Sequence, residues 1–127
     1  MKKLLLLLLL SCLSTPSLAE VGDVYYCEMT KFVTVSEDAP TTNWKLEKFK
    51  IKKENDSYGD LQVVFYGGYL DDVKVPFEKL YGGGYSSERV GFFVADNINY
   101  HVKYYKGTAW VIDYGGREVT VIIADCL

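Results

Sequence analysis

The chain has 127 residues, with seventeen acidic side chains against fourteen basic ones and a net charge of −3. That balance excludes a phosphate-tracking surface, which needs Lys and Arg clustered on one face, so nucleic acid is not an expected partner. One histidine and three cysteines leave no zinc-type ligand spacing, and neither a metal nor any other cofactor is expected.

The first nineteen residues read as an address and not as part of the fold. Met1-Lys2-Lys3 is a short positive segment, Leu4 to Leu10 is unbroken leucine, and Ser17-Leu18-Ala19 supplies small residues for a signal peptidase just after Pro16. The leucine run falls short of the roughly 20 apolar residues that cross a bilayer, and no second apolar segment follows, so no transmembrane span is expected in the mature chain. Leu9-Leu10-Ser11-Cys12 partly resembles a lipobox, which makes acylation at Cys12 the competitor of cleavage after Ala19. Export to a periplasmic or extracellular space is the expectation either way. Cleavage after Ala19 leaves residues 20–127, one domain in length, with a net charge of about −5 once Lys2 and Lys3 are gone.

Cys12 leaves with the leader, so Cys27 and Cys126 remain as a pair near opposite ends of the mature domain. In an oxidising compartment such a pair predicts one disulfide.

Apolar residues alternate in short runs separated by turn signals, and no long stretch carries helical spacing. The first predicted strand is Val24 to Val35, followed by a loop over Ser36 to Asn43. The second is Trp44 to Lys53, where a change of phase between Trp44/Leu46 and Phe49/Ile51 predicts a bulge near Glu47-Lys48. Leu61 to Tyr66 follows, and then Val73 to Phe77, which Pro76 marks as an edge strand or a bulge. Glu78 to Glu88 is the longest irregular stretch, with Gly82-Gly83-Gly84 read as a flexible tip between Tyr81 and Tyr85. Val90 to Val94 and Ile98 to Tyr105 alternate again, with Ile98, Tyr100, Val102 and Tyr104 on one face. A Lys106-Gly107 turn leads into Thr108 to Tyr114, and Gly115-Gly116 is expected to form a two-residue hairpin loop. Arg117 to Cys126 closes the chain, apolar on both faces from Val119 to Ala124, as a central or barrel strand would be. The prediction is an all-β domain of about eight short antiparallel strands, a small barrel or a two-sheet sandwich, with one disulfide.

No catalytic constellation emerges. His101 stands on a strand beside Asn99, Lys103 and Tyr105 without a neighbouring nucleophile, and Asp71-Asp72 reads as a turn, since adjacent strand residues point apart. Asn55 to Asp60 lacks the oxygen-ligand alternation and closing glutamate of a calcium loop and also reads as a turn. The unusual feature is eleven tyrosines, all after the leader. Tyrosine combines an apolar body with a polar tip, which suits both half-exposed sheets and recognition surfaces. Tyr81 and Tyr85 are the candidates for recognition, because loop residues flanking glycines are seldom buried.

Two short stretches resemble the periplasmic inhibitors of C-type lysozyme. Tyr105-Lys106-Gly107-Thr108-Ala109 is similar to their aromatic-x-Lys-Gly stretch, and Gly84-Tyr85-Ser86-Ser87 to their serine loop. The spacing around both departs from that pattern, and the chain is not assigned to the family on this basis. What the resemblance implies is that Ser86, Ser87 and Lys106 are contacts. The functional expectation, resting on the cross-linked β scaffold, the Tyr- and Gly-rich loop and the lack of a catalytic constellation, is a non-enzymatic binding or inhibitory module with a protein or glycan partner, carried by Tyr81, Tyr85, Ser86 and Lys106. The alternative is a structural or assembly subunit of an envelope or phage particle, pairing through the edge near Val73–Phe77.

Overall fold

A computed structural model describes residues 22–86 and 91–127. The leader, Cys12, Ser87 and the start of the strand predicted at Val90 lie outside the described residues. Among the described residues nine strands form one antiparallel sheet: β1 Val24–Ser36, β2 Thr42–Asn43, β3 Lys48–Asn55, β4 Leu61–Tyr66, β5 Lys74–Pro76, β6 Phe92–Asp96, β7 Tyr100–Tyr105, β8 Thr108–Gly115 and β9 Glu118–Cys126. A 3₁₀ turn, Gly68–Leu70, follows β4. The strand order is β5-β4-β3-β1-β9-β8-β7-β6, with β2 attached to β1 beside this path. The two end strands approach each other through a bridge between Phe77 and Ala95 and a bond from Glu78 N to Val94 O of 2.8 Å. The sheet is thus a nearly closed barrel of eight strands and not a sandwich.

Alternation decides what fills it. Ile51, Val63, Phe65, Val75, Phe93, Ala95, Val102, Ala109, Val111, Ile122 and Ala124 are fully or almost fully buried, and apart from Val64, which is buried as well, their strand neighbours are more exposed. Cys27 and Cys126 are directly opposite in the β1–β9 ladder, 4.0 Å apart at Cα, and form the predicted disulfide. β9 lies between β1 and β8, which is where a strand apolar on both faces belongs.

Several expectations need correction. The second strand begins at Lys48, not Trp44, and the irregularity lies in the partner: β1 shifts register against β9 between Met29 and Lys31. Trp44 and Leu46 are exposed, and residues 44–47 run beside β1 through Trp44 N to Phe32 O (2.8 Å) and Met29 N to Glu47 O (2.9 Å). Ile98 sits in the turn before β7 and faces solvent, apart from Tyr100, Val102 and Tyr104. The last hairpin turns one residue later than expected. Gly115 still pairs with Glu118, so the loop is Gly116-Arg117 with positive φ at its first position only.

One end of the barrel is sealed by polar-tipped aromatics. Tyr69 packs on Phe32 and donates to Asp113 (2.6 Å), while Trp44 Nε1 donates to Thr34, itself bonded to Thr120 across the β1–β9 ladder. The other end carries the chain's candidate recognition residues.

Candidate functional site

Strand direction gathers three connections at that second end: the turn between β3 and β4, the loop between β5 and β6, and the turn between β7 and β8. The first is built by Asp56. Its carboxylate accepts from the backbone N–H of Tyr58 (2.8 Å) and of Asp60 (2.9 Å), an Asx-type arrangement that fixes the turn. Tyr58 is consequently held at the tip with 90 % of its surface exposed.

The loop after β5 is a small hairpin and not a loose tip. Lys79 and Tyr85 form a bridge, Leu80 N donates to Gly84 O, and Gly83 N donates to Leu80 O. Gly82 and Gly83 adopt φ of 105° and 99°, which only glycine takes without strain, so the reversal requires them. Tyr81, at the apex, is fully exposed. Tyr85 is turned the other way, packed against the core. Its hydroxyl donates to Asp60 (3.2 Å), and the ammonium of Lys79 lies 3.7 Å from the same carboxylate. Asp60 therefore ties the Tyr58 turn to the Tyr81 hairpin.

Ser86 is fully buried. Its hydroxyl accepts from Val94 N (2.9 Å) and donates to Val94 O (2.8 Å), standing in for one rung of a ladder at the barrel seam. This serine anchors the loop; a surface contact role is corrected to a positioning one. Lys106 is exposed beside Tyr105, with its ammonium 5.3 Å from that ring, and its N–H donates to Gly91 O at 2.7 Å. Its φ of 45° is unusual for a side chain bearing Cβ, in a turn whose Gly107 partner also has positive φ. Of the four residues singled out by sequence, Tyr81 and Lys106 are displayed at this end, while Tyr85 and Ser86 support it.

Below the rim lies Lys53, 2 % exposed, the only buried charged side chain among the described residues. Its ammonium is 5.4 to 5.7 Å from the centroids of Phe93, Phe77 and Tyr25. Burial lowers its pKa, and the nearby charge of Asp23 opposes that only in part. The hydroxyl of Tyr25 is pushed up to about 12, first by burial and then by the charges of Asp23 and Tyr104. Both groups lie beneath the rim.

Elsewhere, His101 Nδ1 faces Asp96 at 3.6 Å on the outer wall. Asp71 accepts from Gly67 N (2.7 Å), as a turn residue does. Among the described residues no three His, Cys, Asp or Glu side chains are placed to hold a metal ion. The edge strand β5 is bridged to β6 at its Phe77 end, which leaves only Lys74 and Val75 for pairing with a neighbour.

Sequence reasoning missed Tyr58, Asp60 and Lys79. Tyr58 carried a signal in retrospect, since Asn55-Asp56-Ser57 before Gly59 puts an aromatic at a turn apex. Asp60 and Lys79 acquire their role only when the two connections meet. No protein-family model, curated protein or solved structure matches this chain.

Proposed function

We propose that the protein is an exported, non-enzymatic binding or inhibitory module that engages a macromolecular partner end-on through its tyrosine-tipped turns. The observation that carries this reading is the pairing of full exposure with fixed backbone at Tyr58 and Tyr81. An apolar ring normally leaves water, and here two are presented on turns that are internally hydrogen-bonded. Rigid aromatic anchors lose little entropy on binding, which is why such residues dominate recognition energetics. The convex tip of Tyr81 suits insertion into a partner's cleft, and Lys106 adds a cation beside Tyr105. A disulfide across β1 and β9 suits an oxidising compartment, and among the described residues no helix is long and apolar enough to cross a membrane.

The test is the double variant Tyr58→Ala/Tyr81→Ala. In affinity capture from the native envelope extract, the tagged mature domain retrieves a dominant partner, and the double variant loses it. The thermal midpoint stays within a few degrees, because neither ring is packed. Undiminished capture by the variant would sink the reading. Tyr85 is left alone here, since its removal would also strip core packing and the bond to Asp60.

A further inference from the structure

The outer wall of the barrel carries a groove of about 590 Å³ that the end-on reading does not use. It runs across β4, β3, β1 and β9, and the Cys27–Cys126 bridge borders it. Its size lies within the range of sites that hold small ligands. We propose that it binds a short, uncharged oligosaccharide.

The argument rests on which side chains the register places there. Tyr26 on β1 and Tyr66 on β4 both lie opposite Lys50 on β3, so the two exposed rings are two strand steps apart, about 10 Å. A trisaccharide covers that span. Tyrosine faces suit the apolar faces of sugar rings, and a hydroxyl-rich ligand needs donors and acceptors in alternation. The groove supplies both: Lys48 and Lys50 donate, Glu28 and Asp125 accept. Those two ammonium groups balance those two carboxylates, and Lys48 is already paired with Glu28 at 3.3 Å. A polyanion therefore gains no net attraction.

An extended peptide is the other occupant a groove on a sheet could take, by adding a strand. The main chain forbids it. Residues 26–28 of β1 are hydrogen-bonded to β3 on one side and to the end of β9 on the other, including reciprocal bonds between Tyr26 and Leu127 of 3.2 and 2.8 Å. Over these residues β1 therefore offers no free edge to an added strand.

The experiment is a titration of the ¹⁵N-labelled mature domain, disulfide intact, with chitotriose, cellotriose and maltotriose in turn. A heparin tetrasaccharide and an unstructured neutral peptide serve as the comparison ligands. At least one neutral trisaccharide should shift the amides of Tyr26, Lys50, Tyr66 and Gly67 saturably. Tyr26→Thr and Tyr66→Thr keep β propensity, and each should weaken that binding about tenfold with little change in thermal midpoint. The Tyr58→Ala/Tyr81→Ala variant should bind the trisaccharide as the parent does, so this site and the end-on site fail or survive separately. Absence of saturable shifts with all three neutral sugars, shifts that map away from the groove, or tighter binding of the heparin fragment or the peptide would each overturn the proposal.

Discussion

Lys53 shows how a single residue can oppose the fold that contains it. An ammonium group transferred from water into a protein interior costs several kcal/mol even after relaxation. The three rings around it return about 0.5 kcal/mol each at distances near the outer limit of a cation–π contact. Burial therefore wins, in agreement with the lowered pKa. Lys53→Met keeps the length of the side chain and removes the charge, and should raise stability at pH 7 by about 1–2 kcal/mol in urea denaturation. A loss of stability would mean that the rings and Asp23 hold the cation more strongly than water does. The pH dependence follows from the same groups. Between the lowered folded value of Lys53 and its ordinary 10.5, the unfolded chain binds the extra proton, so the Lys53 contribution rises with pH. Tyr25 acts in the opposite sense. From pH 10 to about 12 the native state keeps a proton that the unfolded chain has released, and stability falls by about 2 kcal/mol. Tyr25→Phe should flatten that alkaline loss and leave stability near pH 7 within about 1 kcal/mol, since the hydroxyl contributes little there. Alkaline loss of the same size in Tyr25→Phe would assign it to another group.

At the scale of single elements, the turns are where backbone conformation and side-chain space decide together. Gly68 opens the 3₁₀ turn with a φ of 64°, and a Cβ there would run into the carboxylate of Glu47. That carboxylate accepts the N–H of Tyr69 at 2.8 Å, which sets the ring that seals the barrel end. Gly59 has a φ of 84° but open space around it. Gly59→Ala should therefore cost only the left-handed strain, about 1 kcal/mol, while Gly68→Ala should cost that and the displaced hydrogen bond, about 2–3 kcal/mol. Equal midpoints in urea for the two variants would show that Glu47 swings aside without loss. Strand positions were legible from alternation because each strand carries its own evidence. The start of β3 was not, since Trp44 and Leu46 extend an apolar pattern while facing solvent. The change of phase beyond them was real, but the shifted register belongs to β1, and a strand's sequence does not record its partner's irregularity. Gly115-Gly116 was misplaced by one residue for a related reason: both glycines permit positive φ, and only pairing with Glu118 shows which of them uses it.

At the scale of the whole molecule, the two cysteines indicated one bridge and the doubly apolar run of β9 a central or barrel strand, but that the first and last strands are neighbours emerges only from the β1–β9 ladder. Closure at the other seam was beyond reach, because it depends on Phe77 meeting Ala95 and on the hydroxyl of Ser86 replacing a strand rung. The meeting of Tyr58, Asp60 and Lys79 at one end was hidden for the same reason. The disulfide joins residues 99 apart in sequence, and closing such a loop is worth up to about 4.7 kcal/mol in the chain-entropy model. A domain of this length has about 5–15 kcal/mol in all. Yet Cys27 and Cys126 also sit at the end of the long β1–β9 ladder, whose bonds persist without sulfur. Cys27→Ala/Cys126→Ala should thus lower the unfolding free energy by about 2–4 kcal/mol and leave a folded barrel at 25 °C. Most of that change should act through the unfolded state, which the cross-link makes more compact. The variant should therefore show a lower urea midpoint and, because its unfolded chain exposes more surface, a somewhat steeper denaturant slope. Unchanged midpoint and slope would show that the ladder alone holds the seam, whereas loss of cooperative unfolding would show that the ladder cannot form until the bridge has joined its ends.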